Sequence, residues 1–321
     1  MNDVVRARAY ANIALIKYWG KSDLRGNVPA TPSISLTLDG LVTETEVRES
    51  EASEDIILIN NVKPDQKTYS RIVEYGNLWR RLSDRKVAFF ISTENRFPTK
   101  AGLASSASGY AALATALNVF LKTGLNSEQL SRLARQGSGS AARSIYGGLV
   151  ALPLGEDPAA WQLIPPHQVP WGMVIAIVQT VEKEIGSREG MNLSKATSPY
   201  YSTWIETAKN DFQQMLNAIE HLDLEQVGEL MEADTMTMHG CMIASRPSLL
   251  YWNNITVDLI NKAHSLRCEG LQTYATIDAG SNVFFLVNLQ EMVRLSEILE
   301  EHPGIQQVIV CKPGPGAELI R

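Results

Sequence analysis

Phe97-Pro98-Thr99-Lys100-Ala101-Gly102-Leu103-Ala104-Ser105-Ser106-Ala107-Ser108-Gly109 joins a β-like run, 87–93, to an Ala-rich stretch, 106–121, with the composition of a buried helix. Glycine and alanine let a ligand approach the backbone closely. The N–H groups at a helix start attract anions, and the helix dipole adds about 0.3–1 kcal/mol. Ser105 and Ser106 can offer hydroxyls to phosphate oxygens or to a cation. The same string also reads as a tightly packed helix start capped by serine. No Gly-Lys-Ser/Thr closes it and no GxGxxG is present, so it is neither a Walker loop nor a dinucleotide fingerprint.

A second cluster, Arg135-Gln136-Gly137-Ser138-Gly139-Ser140-Ala141-Ala142-Arg143-Ser144, combines flexible glycines with hydroxyls and two guanidinium groups. Arg143 can grip a carboxylate or phosphate with two parallel hydrogen bonds, although a turn with solvated arginines has the same composition. Lys17-Tyr18-Trp19-Gly20-Lys21 sets two lysines beside two aromatics, as an anion site or as lysines lying over an apolar patch. Ser187-Arg188, in a glycine-containing loop, is a further anion clamp. Asp278 ends an apolar strand ahead of Ala279-Gly280, where its carboxylate can orient or deprotonate a hydroxyl, or close a turn.

Strand-like segments at 33–38 and 55–60 and a helix at 68–82 precede the first Gly/Ser turn, and a short helix, 127–135, and a strand ending at 152 follow it. A Pro/Gly-rich loop, 154–170, divides the chain into 1–165 and 166–321. Beyond it come a strand at 173–178, helices at 200–221, 224–238, 255–265 and 291–301, and strands ending at 277, 287 and 311. Strands and helices in both halves argue for α/β or α+β layers.

Composition narrows the function. The 321 residues carry a net charge of −6, without the basic surplus of a nucleic-acid binder. The three cysteines form no CxxC pair and the five histidines no metal-binding spacing, which fits reduced thiols in a cytoplasmic protein. The N-terminus has no apolar signal core, and no apolar run approaches the ~20 residues of a membrane span, so neither secretion nor membrane insertion is expected.

Ala11-Asn12-Ile13-Ala14 leading into Lys17-Tyr18-Trp19-Gly20-Lys21, the 97–109 loop, Gly137-Ser138-Gly139-Ser140 with Arg143-Ser144, Ser187-Arg188, Met238-His239, Asp278-Ala279-Gly280 and Lys312-Pro313-Gly314-Pro315-Gly316 together resemble the mevalonate diphosphate decarboxylase family of the GHMP kinase superfamily. The likeness runs over nearly the whole chain. It implies a GHMP-kinase-like α+β fold in two parts, an ATP-binding half with a left-handed βαβ unit and a ferredoxin-like C-terminal half, with the site in the cleft between them. It implies ATP and Mg2+ as cofactors, mevalonate 5-diphosphate as substrate, and a homodimer. By the same resemblance Asp278, Lys17 and Arg143 are catalytic. Asn12, Tyr18, Lys21, Ser138, Ser140, Ser187 and Arg188 hold the substrate. Gly102, Leu103, Ala104, Ser105, Ser106 and Ser108 face the nucleotide, and Ser106 the metal. Tyr10, Lys100, Gly186 and Ser281 depart from residues common in the family. A relative acting on mevalonate or its 5-phosphate, as kinase or decarboxylase, and a sensor that binds without turnover stay open; Asp278 with Arg143 favours decarboxylation, and Ser187-Arg188 a diphosphate tail.

Overall fold

The computed structural model describes residues 4–22, 24–97, 105–178 and 185–320. Its spine is the antiparallel pair β1 (Val5–Ile16) and β2 (Ser33–Glu49). The register slips between Tyr10 and Asn12 and again between Ala14 and Ile16. Such bulges bend a strand and re-aim its side chains, and here they bracket Asn12 and lead directly to Lys17. β3 (Ile56–Ile59), α1 (Gln66–Ser83) and β4 (Phe89–Asn95) form a parallel βαβ unit whose last strand also pairs with β2. Asp65 starts α1 by accepting the N–H of Thr68 at 2.9 Å.

α2 (Ser105–Phe120) lies on β1 and β2. Its buried Ala111 and Ala114 share a core with Ala7 and Ala9 of β1, and the small side chains let helix and sheet approach closely. α3 (Ser127–Gly137) opens on a capping box between Asn126 and Gln129. β5 (Leu149–Leu152) pairs with β2, and β6 (Trp161–Ile164) with β5.

The second sheet runs β10-β7-β9-β8 and is antiparallel throughout, from β7 (Trp171–Ile177), β8 (Thr273–Ile277), β9 (Val283–Asn288) and β10 (Gln307–Cys311). The intervening helices are α4 (Ser187–Thr197), α5 (Tyr201–Glu220), α6 (Leu224–Ile243), α7 (Asn254–Cys268) and α8 (Met292–Glu300). Alternation along β7 explains the layering. Met173, Ile175 and Ile177 join the core with α5, α6, β1 and β2, while Val174, Ala176 and Val178 join the core with α7 and α8. A strand buried on both faces reads as an unbroken apolar run. Each fully buried Val, Ile or Met contributes about 1.5–3 kcal/mol. Finally β11 (Glu318–Ile320) returns to pair with β1, giving the first sheet seven strands in the order β11-β1-β2-β4-β3 with β5 and β6 attached.

The α+β class is as expected, and four local readings are corrected. Residues 187–197 form a helix where a loop was expected. The glycine at 190 and the polar residues around it hide the helix, because its stability comes from packing Gly190, Met191 and Ser194 inward, with a Cβ on Gly190 falling 2.9 Å from the Trp19 ring. The loop at 154–170 contains β6. α6 continues past 238 to Ile243, and the cluster after α3 coils into a 3-10 turn, Gly139–Ile145. Among the described residues no helix is long and apolar enough to cross a membrane.

Candidate active site

Lys17 leaves β1 just past its second register slip, and Asp278 immediately follows β8. The two sheets thereby bring Lys17 Nζ to 2.7 Å from Asp278 Oδ1. The lysine side chain is 1% exposed and the aspartate 30%, so the ammonium is sealed while the carboxylate keeps an open side. A carboxylate held by a fixed cation is oriented toward whatever enters from that side.

Arg143 is fully buried in the 3-10 turn after α3. Its Nε donates to Ser35 Oγ at 2.9 Å and to Asn12 Oδ1 at 3.3 Å, and one Nη donates to Ser33 Oγ. Asn12 in turn donates to the Ser140 carbonyl at 3.1 Å and to Ser144 Oγ at 2.7 Å. Asn12 therefore locks the 3-10 turn onto β1. Among the described residues no carboxylate lies within ion-pair distance of Arg143. Burial lowers its pKa to about 10, drawn back upward by Tyr18 and by Asp278. A buried guanidinium with only neutral partners is costly for the free protein and well matched to an incoming anion.

The remaining cations gather around one asparagine. Asn27 Oδ1 accepts from Lys21 Nζ at 2.6 Å and from Arg188 at 3.4 Å, its carbonyl accepts from the Tyr18 hydroxyl at 3.2 Å, and its amide donates to the carbonyls of Arg135 and Gln136. Asn27 takes φ +56°, a left-handed conformation that asparagine tolerates. Arg135 does not face this group of charges. It is spent on Asp157 and on the carbonyls of Pro158 and Gly26, so it anchors the turn at Gly26. Lys21 is lowered to about 8 by burial and then by the charges of Arg188 and Arg71; Arg188 is lowered by burial and Arg71. Burial pushes the Tyr18 phenol up to about 12, which keeps it a donor. Gly139 makes room for it, since a Cβ there would fall 2.2 Å from the Tyr18 oxygen. Asn27 and Arg71 escaped the sequence reading. Gly26-Asn27 signals only a turn, and a lone arginine within α1 reads as a solvated side chain.

Ser106 stands exposed in the first turn of α2, its Oγ 3.3 Å from Ser138 Oγ, which is itself 3.3 Å from Ser140 Oγ. The helix start and the second Gly/Ser cluster thus share one hydroxyl row. Ser105 sits beside it in the same turn, whereas Ser108, expected with the nucleotide, is sealed against β2 at 2.6 Å from Thr43 Oγ1 and fastens the helix. Gly102, Leu103 and Ala104, with Lys100, lie outside the described residues. Ser187 and Arg188 open α4, where Gly186 at the N-cap supplies no capping oxygen. That helix start is suited to an anion. An open cavity of about 560 Å3 beside α1, lined by Asp55, Tyr69, Arg80 and Arg85 among others, contains none of these groups.

Among the described residues no cluster of three or more His, Cys, Asp or Glu could hold a metal. An exposed serine hydroxyl at a helix start, beside the hydroxyl of Ser138, suits Mg2+, which keeps most of its waters and is bound largely through substrate phosphates.

The chain matches the model of the diphosphomevalonate decarboxylase-like N-terminal domain over residues 9–161 and that of the mevalonate 5-diphosphate decarboxylase C-terminal domain over residues 173–312. A diphosphomevalonate decarboxylase of Candida albicans is 33% identical over 349 aligned residues, covering 97% of this chain and 96% of the relative. The solved structure of MDDEF in complex with MVAPP, AMPPCP and magnesium aligns with a TM-score of 0.93 at 37% identity, over 100% of both chains. A structure of the mevalonate diphosphate decarboxylase from Enterococcus faecalis aligns with a TM-score of 0.92 at 37% identity, again over 100% of both.

Proposed function

Because the chain belongs to the mevalonate diphosphate decarboxylase family, we propose that the Lys17–Asp278 pair is its reaction centre. The reaction is the ATP-dependent decarboxylation of mevalonate 5-diphosphate to isopentenyl diphosphate, ADP, phosphate and CO2. The observation that carries the residue assignment is the 2.7 Å ion pair, open on one side, electrically coupled to a buried Arg143 that has only neutral hydrogen-bond partners. Asp278 orients the tertiary hydroxyl of the substrate and accepts its proton. Lys17 holds the carboxylate in place and balances its charge. Arg143 binds the substrate carboxylate with the charge it cannot spend inside the protein. Tyr18, Lys21, Ser138, Ser140, Ser187 and Arg188 hold the diphosphate tail, and Asn12 keeps Arg143 aimed. Ser105 and Ser106 face the ATP phosphates, and Ser106 is the hydroxyl for Mg2+; Gly102, Leu103 and Ala104 complete the phosphate loop. Bound Mg2+-ATP supplies the phosphoryl group that makes the hydroxyl a leaving group.

The division into an ATP-binding half, 1–165, and a C-terminal half, 166–321, belongs to the same proposal. The two sheets support it, apart from β11, which crosses back to the first. A cytoplasmic homodimer is the state that the resemblance implies, and the free thiols of Cys241, Cys268 and Cys311 are in keeping with a reducing compartment.

The deciding assay offers purified protein Mg2+-ATP with mevalonate, its 5-phosphate or its 5-diphosphate in turn. ADP and CO2 appear together, and only with the diphosphate. ADP without CO2 would make the protein a kinase, and binding without products a sensor.

Lys21 adds a pH signature. Its pKa is about 8, against an ordinary value of 10.5. A depressed lysine loses its proton in the folded chain first, so between about pH 8 and 10.5 the unfolded chain holds the extra proton. The folding cost of this buried charge is therefore largest below about pH 8 and fades as pH rises. Diphosphate binding has the opposite sign, because it needs the charged form. KM for the diphosphate is expected to rise above pH 8, by at most about tenfold per pH unit for one proton. Lys21→Arg should flatten that rise; an unchanged profile would remove Lys21 from the diphosphate site.

A further inference from the structure

Lys17 and Asp278 approach from different sheets, and α6 hydrogen-bonds to the main chain beside both. Its buried stripe runs Met231, Asp234, Thr235, Met238 and Met242. Two of these positions are polar where helical periodicity asks for apolar residues. Asp234 is fully buried, and its Oδ2 accepts the backbone N–H of Lys17 at 2.7 Å. Thr235 Oγ1 lies 2.8 Å from Thr276 Oγ1 on β8. One turn on, His239 Nε2 is 3.2 Å from the carbonyl oxygen of Ile277, the residue before Asp278. A single helix therefore holds the main chain beside both members of the ion pair.

Asp234 is an expensive way to fasten a strand. Its second oxygen, Oδ1, is buried with no hydrogen-bond partner among the described residues. Burial drives the carboxyl well above the usual range, the Lys17 N–H and ammonium offset this only in part, and Asp211 on α5 pushes it further up. An unsatisfied buried oxygen lowers stability, and such local costs collect where function needs them.

We propose that Asp234 is a positioning residue for the reaction: by holding the Lys17 N–H it sets the reach of the Lys17 ammonium to Asp278. This rests on the reading of Lys17–Asp278 as the reaction centre. Displacing a reacting group by about 1 Å can cost on the order of a hundredfold in rate.

The test combines kinetics with crystallography of wild type and variants. Asp234→Ala is expected to lower kcat about ten- to a hundredfold with KM for both substrates within about threefold. Asp234→Asn, whose amide oxygen can accept the same N–H, should return kcat to within about threefold of wild type. In a Lys17→Ala background, Asp234→Ala should cost less than about twofold more. If Asp234→Ala does not fold, Asp234→Ser provides the same comparison. A kcat within threefold of wild type, or a full loss that persists without the Lys17 side chain, overturns the proposal. So does a crystal structure of the variant in which Lys17 still meets Asp278 as in wild type. That structural readout needs no turnover, so a wild type that releases no CO2 refutes the functional reading while the geometry still decides the role of Asp234.

Discussion

Asp278→Asn is expected to cut kcat by about 10²–10⁴ while both substrates still bind, because an amide cannot take the proton from the substrate hydroxyl. Stability should fall as well. Lys17 is sealed at 1% exposure with Asp278 as its ion-pair partner, and removing one member of such a pair leaves a buried charge without compensation. A thermal melt is expected to show a lower Tm for Asp278→Asn, recovered in the double variant with Lys17→Met, which stays inactive. Calorimetric titration separates binding from turnover. Near-normal release of ADP and CO2 by Asp278→Asn would take the carboxylate out of the mechanism.

Arg143→Gln should lower kcat/KM by about tenfold to 150-fold, the range of a charge-assisted hydrogen bond contributing about 1.5–3 kcal/mol. Most of the loss should fall on KM. The substrate carboxylate carries its full charge on binding and disperses it as CO2 forms, so the contact is strongest in the bound ground state. Folding should suffer little, because the guanidinium is buried among Ser33, Ser35 and Asn12 with no carboxylate in ion-pair contact, and Asp278 offsets its desolvation only in part. A substrate analogue lacking the carboxyl group makes the test specific: wild type and Arg143→Gln should bind it equally. An analogue that loses as much affinity as the substrate would assign Arg143 to the diphosphate instead.

Much was legible in the residues. Unbroken apolar runs marked β7 and β9, Ala-rich spacing marked α2, and the boundaries of α1, α3, α5 and α7 came within a few residues of those observed. These features follow from periodicity and capping, which act over a few residues. The two Gly/Ser clusters, Lys17, Arg143 and Asp278 could each be named as candidates, because chemistry-bearing side chains in flexible or strand-end settings stand out one at a time.

What no local pattern carries is which candidates meet. Lys17 and Asp278 are 261 residues apart in the chain, and their contact depends on two sheets packing through α5 and α6. Arg135 and Arg143 look alike in one Gly/Ser cluster, yet one is consumed by Asp157 and loop carbonyls while the other is sealed with neutral partners. Ser105, Ser106 and Ser108 look alike too, until helix rotation turns Ser108 into β2 and leaves Ser106 at the open helix end. Asn27 and Asp234 carried no visible signal, because their roles are hydrogen bonds to residues from distant elements. Side-chain identity and short-range spacing set the chemistry available to the chain, whereas burial, partner choice and desolvation are long-range properties that exist only once the sheets and helices have packed.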